Sequence, residues 1–211
     1  MASTKDWFET VAEARERARK RLPRSVFLAL HAGSEAGGTL ADNTAAFSEL
    51  GLRPRIADLP PEREQATTVL GSDISLPVIV SPTGVQAVHP DGEVAVAKGA
   101  AQSGTAIGLS SFASKPVEDV AAANDNTDFQ VYWQGSRDDM LARMDRARRA
   151  GAKALIVTLD WVFATARDWG SPPIPEKVDL RTAVKFAPEV LRKPGWLGTY
   201  LRSGSLPDLT T

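Results

Sequence analysis

Leu76-Pro77-Val78-Ile79-Val80-Ser81-Pro82-Thr83-Gly84-Val85-Gln86 is a short apolar, β-branched run that stops abruptly in small, polar and turn-forming residues. A buried parallel strand that opens into a ligand site at its carboxyl end has this pattern. Val78, Ile79 and Val80 show no polar alternation, so both faces of the strand are expected to be covered. Gly84 has no Cβ and lets the backbone approach a flat ligand closely. A core strand followed by an ordinary loop fits the same residues, and the stretch alone does not separate the two readings.

Three further strand candidates follow: Thr105 to Leu109 running into Ser110-Ser111-Phe112, Asp128 to Trp133 running into Gln134-Gly135, and Ala154 to Asp160. Helical segments lie between them: Asp91 to Lys98, Val117 to Ala123, and Asp138 to Ala150. The last has Met140, Leu141, Met144 and Ala147 at helical spacing and Gly151 to close it. Strands recur about every 25 residues, a β/α alternation that implies a parallel sheet with right-handed crossovers. No G-x-G-x-x-G or G-x-x-x-x-G-K-[ST] is present, so nucleotide-phosphate folds lose their main signature. Polar residues end every strand instead: Thr83, Ser110, Gln130 with Tyr132, and Thr158 with Asp160. Chemistry spread over all strand ends favours a (β/α)8 TIM barrel over an open sheet with one switch point.

Such a barrel needs about 250 residues, and this chain has 211. The expected division is a helical segment over 1–70, the first half of a barrel over 71–170 with about four β/α units, and an irregular Pro-rich stretch over 171–211. In the first segment Trp7, Phe8, Val11 and Ala14 share a helix face. Leu22-Pro23 begins a second helix that Gly33 can close, and Thr39 to Asn43 caps a third.

Apolar residues make up 43% and charged residues 24%, ordinary values for a globular chain. A formal charge of −1 offers no field to attract nucleic acid or an anionic membrane. No long apolar run and no signal peptide is seen, so the expectation is a cytoplasmic protein without an integral membrane segment. Cysteine is absent, which removes disulfides and thiol nucleophiles. The two histidines, His31 and His89, stand at no metal-ligand spacing, and no metal is expected.

Six separated motifs occur in order: Leu22-Pro23-Arg24-Ser25-Val26-Phe27, Ala32-Gly33-Ser34-Glu35, Thr39 to Phe47, Leu76 to Gly84, Leu109-Ser110-Ser111-Phe112-Ala113-Ser114, and Val157-Thr158-Leu159-Asp160. Together they resemble the FMN-dependent α-hydroxy-acid oxidase and dehydrogenase family, which includes glycolate oxidase and L-lactate dehydrogenase. Asp168 to Pro172 and Trp196 to Thr210 are similar to its mycofactocin-biosynthesis branch. The resemblance implies an FMN-binding barrel about twice as long as this stretch, an often tetrameric assembly and a small-molecule substrate.

The resemblance also implies roles. Ser81, Pro82, Thr83 and Gly84 lie along the flavin ring, and Ser110, Gln130 and Thr158 hydrogen-bond it. Donors at strand ends suit a flavin that gathers negative charge on reduction. Tyr132 is the active-site tyrosine, Arg167 faces the substrate, and Asp160 orients a catalytic histidine. Thr158 as a core hydroxyl and Arg167 as a surface ion pair are the structural alternatives.

Two departures bear on substrate. Ala29 stands where the family has a carboxylate-binding tyrosine, and Phe112 where it has tryptophan. Losing the tyrosine removes a charge-assisted bond of about 1.5–3 kcal/mol, which disfavours simple 2-hydroxy acids and favours a bulkier substrate without a free carboxylate; the resemblance to the mycofactocin branch implies that this substrate is a cyclised, peptide-derived amine that is oxidatively deaminated. Oxidation of lactate or glycolate is the alternative, and an inactive half-barrel or split subunit is another. The family's histidine base, flavin lysine, second arginine and phosphate site belong to later strands, and no motif here replaces them.

Overall fold

Phe129 and Val131 point to one side of a strand, Asp128, Gln130 and Tyr132 to the other, and this alternation organises the fold. The computed structural model describes residues 9–31, 33–54, 56–58, 60–84, 88–160, 167–168 and 180–203. The chain divides into two compact units: Met1–Arg53 with Thr165–Leu201, and Pro54–Ala164 with Arg202–Thr211.

The first unit holds three N-terminal helices, α1 (Val11–Arg21), α2 (Arg24–Leu30) and α3 (Gly38–Ala46). Thr10 caps α1 through Glu13 N–H at 3.2 Å. The basic side of α1 is solvated as expected, with Arg17 paired to Glu13 and Arg19 to Glu16. Val11, placed by its spacing on an apolar face, is 83% exposed, and Trp7 and Phe8 lie outside the described residues. Gly33 does not close α2: the helix ends at His31, whose N–H bonds Phe27 O at 2.9 Å.

The second unit begins with a β-hairpin absent from the sequence reading, β1 (Thr67–Val69) with β2 (Ser72–Ile74). Leu70 (φ 49°) and Gly71 (φ 80°) form its two-residue turn. Both central φ values are positive, which matches the right-handed twist of a tight hairpin. The main sheet follows, in order β3 (Ile107–Ser110), β4 (Thr127–Tyr132), β5 (Leu155–Thr158), all parallel. Three helices accompany it: α4 (Gly92–Gln102), α5 (Val117–Ala123) and α6 (Arg137–Ala150).

The core lies between the helices and one sheet face. Ile107, Leu109, Phe129 and Val131 pack against Ala97 and Ala100 of α4, Val117 and Val120 of α5, and Met140 and Ala147 of α6. Small alanines on α4 let that helix sit close to the β-branched and aromatic strand residues. Burying a side chain such as Phe129 contributes about 1.5–3 kcal/mol. The opposite sheet face carries Gly108, Ser110, Asp128, Gln130, Tyr132, Ile156 and Thr158 in register.

The run Leu76–Val80 is not a full strand. Val80 alone bridges Ile107, its N–H bonding Ala106 O at 3.1 Å and its carbonyl accepting Gly108 N–H at 2.9 Å. Pro77 has no N–H to give, and Val78 N–H turns back to Leu76 O at 2.8 Å, so neither joins the ladder. Val78 is 58% exposed, against the expectation that both faces are covered. At the other side, Leu155 and Val157 share the face of Phe129 and Val131 but stay 46% and 54% exposed. Among the described residues no helix after β5 covers them, no strand pairs its far edge, and the sheet forms no closed barrel.

The stretch 171–211 was expected to be irregular, yet it contains α7 (Leu180–Leu191) and α8 (Pro194–Ser203). Pro188 lies within α7, and Pro194 opens α8 at the first helical position, where its missing N–H costs nothing. Helix α7 and all but the last two residues of α8 belong to the first unit, where Glu189 accepts Ser25 N–H at 3.0 Å and Lys193 Nζ donates to Lys20 O at 2.6 Å.

Candidate functional site

Ser110, Gln130 and Thr158 stand at the carboxyl ends of β3, β4 and β5 and form one hydrogen-bonded row. Ser110 Oγ donates to Gln130 Oε1 at 3.2 Å, and Gln130 Nε2 donates to Thr158 Oγ1 at 2.7 Å. Ser110 and Gln130 are each 3% exposed. Parallel register makes this row possible, since Ser110 pairs with Gln130 and Thr158 falls opposite Tyr132, two residues beyond Gln130's own partner Ile156 and on the same face. The row therefore presents hydroxyl and amide groups across three adjacent strand ends.

The segment 81–84 lies beside this row. Pro82 packs over Gly108, where a Cβ would come within 2.7 Å of the proline ring. Gly84 meets Phe112 so closely that a Cβ there would stand 2.8 Å from Phe112 Cβ. Thr83 Oγ1 donates to Ser81 O at 3.3 Å, and both residues are exposed. Phe112 and Tyr132 pair as tilted rings with centroids 5.0 Å apart. Phe112 N–H bonds Ser110 Oγ at 3.1 Å, which ties this aromatic wall to the polar row.

Asp160 lies exposed just past β5 and has no hydrogen bond or ion pair among the described residues. Ala29 and Arg167 meet in the first unit. Arg167 Nη1 donates to Ala29 O at 3.0 Å and Leu28 O at 3.4 Å, at the carboxyl-terminal end of α2, where carbonyls lack helical partners. Among the described residues no group of His, Asp and Glu could hold a metal ion, and no helix is long and apolar enough to cross a membrane.

Two polar residues near the row escaped the sequence reading. Ser111 N–H approaches Gln130 Oε1 at 3.4 Å, while Ser111 Oγ is buried without a hydrogen-bond partner. Asp128 sits two residues before Gln130 on the same face and is 7% exposed. Burial holds its carboxyl above the ordinary carboxylate range, opposed by one N–H bond from Ala154. Period-two alternation with Gln130 and Tyr132 was the available signal for Asp128.

The family profile of FMN-dependent dehydrogenases matches residues 18–208. The chain is 60% identical over 203 residues to a pre-mycofactocin synthase of Mycolicibacterium smegmatis, covering 96% of this chain and 51% of that protein. It is 39% identical over 145 residues to a glycolate oxidase of Spinacia oleracea, covering 68% of this chain and 39% of that protein. Among solved structures, the monotopic membrane protein (S)-mandelate dehydrogenase superposes with TM-score 0.83 at 26% identity, over 96% of this chain and 54% of the other. A mandelate oxidase with (S)-mandelic acid superposes with TM-score 0.74 at 27% identity, over 81% of this chain and 52% of the other. The chain thus spans about half the length of the pre-mycofactocin synthases it matches. With the profile covering most of its length, the chain belongs to the FMN-dependent dehydrogenases, an oxidoreductase family whose cofactor is FMN.

Proposed function

We propose that these residues form the first half of an FMN-binding barrel in a cytoplasmic oxidoreductase that oxidatively deaminates a cyclised, peptide-derived amine. The observation that carries the cofactor half of this reading is the Ser110–Gln130–Thr158 row. Its chemistry fits a flavin, whose heterocyclic edge alternates donors and acceptors. The buried, unpartnered Ser111 Oγ beside it adds one more polar group with spare capacity. Ser81, Pro82, Thr83 and Gly84 would lie along the ring, where the absent Cβ of Gly84 keeps that side low. Ser110, Gln130 and Thr158 would hold the polar edge. Bound FMN would supply the two-electron oxidant that takes the amine to an imine, which water hydrolyses to the ketone with release of ammonia.

The remaining residues bear on substrate. Tyr132 and Phe112 would form an aromatic wall beside the reacting carbon, and Arg167 would face the pocket. Asp160, exposed past β5, would be free to orient a histidine contributed by later strands. Ala29 offers no hydroxyl to a substrate carboxylate, which favours a substrate without one over a 2-hydroxy acid. The 60% identity to a pre-mycofactocin synthase supports the same direction.

The 211 residues by themselves would neither hold FMN tightly nor turn over. A second reading, a half-barrel that acts by assembly, is favoured by the edge of β5, open among the described residues, and by the half-exposed Leu155 and Val157. The test uses residues 1–211 joined to the carboxyl-terminal half of the M. smegmatis relative and loaded with FMN. The cyclic amine is expected to bleach the flavin and L-lactate to leave it unchanged. Rapid bleaching by L-lactate alone would overturn the amine assignment.

A further inference from the structure

Glu93, in the first turn of α4, is 1% exposed. Both of its carboxylate oxygens serve one residue: Oε1 accepts Ser114 N–H at 3.0 Å and Oε2 accepts Ser114 Oγ–H at 2.6 Å. Burying a carboxylate is costly unless its acceptors are filled, and charge-assisted bonds of this kind are the strong ones. The helix end around it is equally committed to that contact. Gly92 adopts φ +45°, and a Cβ there would stand 2.7 Å from Ser114 Oγ. A side chain there would have to displace Ser114 Oγ, the group that Glu93 holds.

That loop, Ser111 to Pro116, joins β3 to α5. Its first end is held by the polar row, through Phe112 N–H to Ser110 Oγ at 3.1 Å and Ala113 N–H to Ser110 O at 3.0 Å. Its second end is held by Glu93. Phe112 lies between the two anchors, pressed on one side by Gly84 and paired on the other with Tyr132. Ala113 and Ser114 are buried at 1% and 5% exposure, so the loop has little slack.

We propose that Glu93 is a positioning residue, which clamps Ser114 and thereby fixes Phe112 against Gly84 and Tyr132 as the aromatic wall that meets the substrate. It acts through Ser114 and touches neither cofactor nor substrate. Its bearing on substrate rests on the reading of Phe112 and Tyr132 as pocket residues, while its effect on the loop is a property of the protein without ligand.

The chain contains two tyrosines, Tyr132 at the wall and Tyr200 in α8 of the other unit. Uniform 3-fluorotyrosine labelling therefore gives one fluorine reporter at the site and one internal control. In Glu93→Gln, which keeps the side-chain shape but replaces one acceptor oxygen with a donor, the Tyr132 resonance is expected to move while Tyr200 holds. Ser114→Ala, which keeps only the backbone bond, moves Tyr132 in the same direction by less. Ser114 amide exchange should rise about tenfold in Glu93→Gln, with the amides of β3 unchanged. An unmoved Tyr132 in both variants overturns the proposal. So does a joint shift of both tyrosines with faster exchange through β3, which is general loosening. If Glu93→Gln does not fold, Ser114→Ala decides by the same readings. The experiment needs no FMN, so failure of the flavin assignment shows separately, as a joined protein that holds no flavin.

Discussion

At the scale of single residues, the candidate site is a set of polar side chains made usable by their neighbours. Gln130 serves two strands at once, and the Ser111 N–H, which can only donate, turns its carbonyl oxygen toward Ser110 and its amide nitrogen toward Thr158. Asp128, on the same face, is a carboxylate that burial disfavours in its ionised form. Its folded value lies above the unfolded one. The cost is therefore absent below the ordinary carboxylate range and sets in as pH rises through the raised value. Asp128→Asn keeps an acceptor for Ala154 N–H and removes the charge. The variant is expected to be more stable than the parent at neutral pH and equal to it in acid, as read by urea unfolding across that range. The residue types at the strand ends were legible in the sequence, because each closes an apolar run. The partners were not, since Glu93 and Ser114 are 21 positions apart and nothing local marks the pair.

At the scale of elements, β3, β4 and β5 fell within a residue or two of their expected positions. β4 and β5 are rich in β-branched and aromatic residues, and β3 is a short apolar run that ends in Ser110-Ser111. The hairpin of β1 and β2 escaped because three-residue strands are too short to show alternation, and Leu70-Gly71 is not the usual Asn-Gly or Asp-Gly turn pair. Helices α7 and α8 escaped because their prolines suggested irregular chain. The helix pair α5 and α6 is joined on its outer side by Arg146, which grips Glu118 with two bonds of 2.8 and 2.9 Å. The guanidinium holds the Glu118 carboxyl below its ordinary value, opposed by a smaller effect of burial. That depressed value makes the contribution present above the ordinary carboxylate range and lost as pH falls through the folded value. Both side chains are about one-third to one-half exposed, so solvent screens the pair. Arg146→Ala should cost below about 1 kcal/mol at neutral pH and low salt, and less in high salt or acid.

At the scale of the whole molecule, an α/β chain with a parallel sheet was legible from the repeating pattern, whereas both faces of its first strand were expected to be covered and Val78 stays 58% exposed. Barrel closure was a matter of length, and the sheet here stays open among the described residues. A β5 edge that no described residue pairs, beside half-exposed Leu155 and Val157, is a surface that other strands can join. The 211 residues alone are expected to self-associate, and a complementary half should restore a single species in sedimentation. A monodisperse monomer that binds FMN tightly would count against this. The claim that joins all three scales is that the Ser110–Gln130–Thr158 row is one edge of a flavin cradle. It is tested most directly by titrating FMN into residues 1–211 joined to the carboxyl-terminal half of the M. smegmatis relative, with and without Gln130→Leu. The expected result is a flavin-bound parent and a variant, still folded, that binds FMN about tenfold or more weakly. Equal FMN affinity in the two proteins would contradict the account.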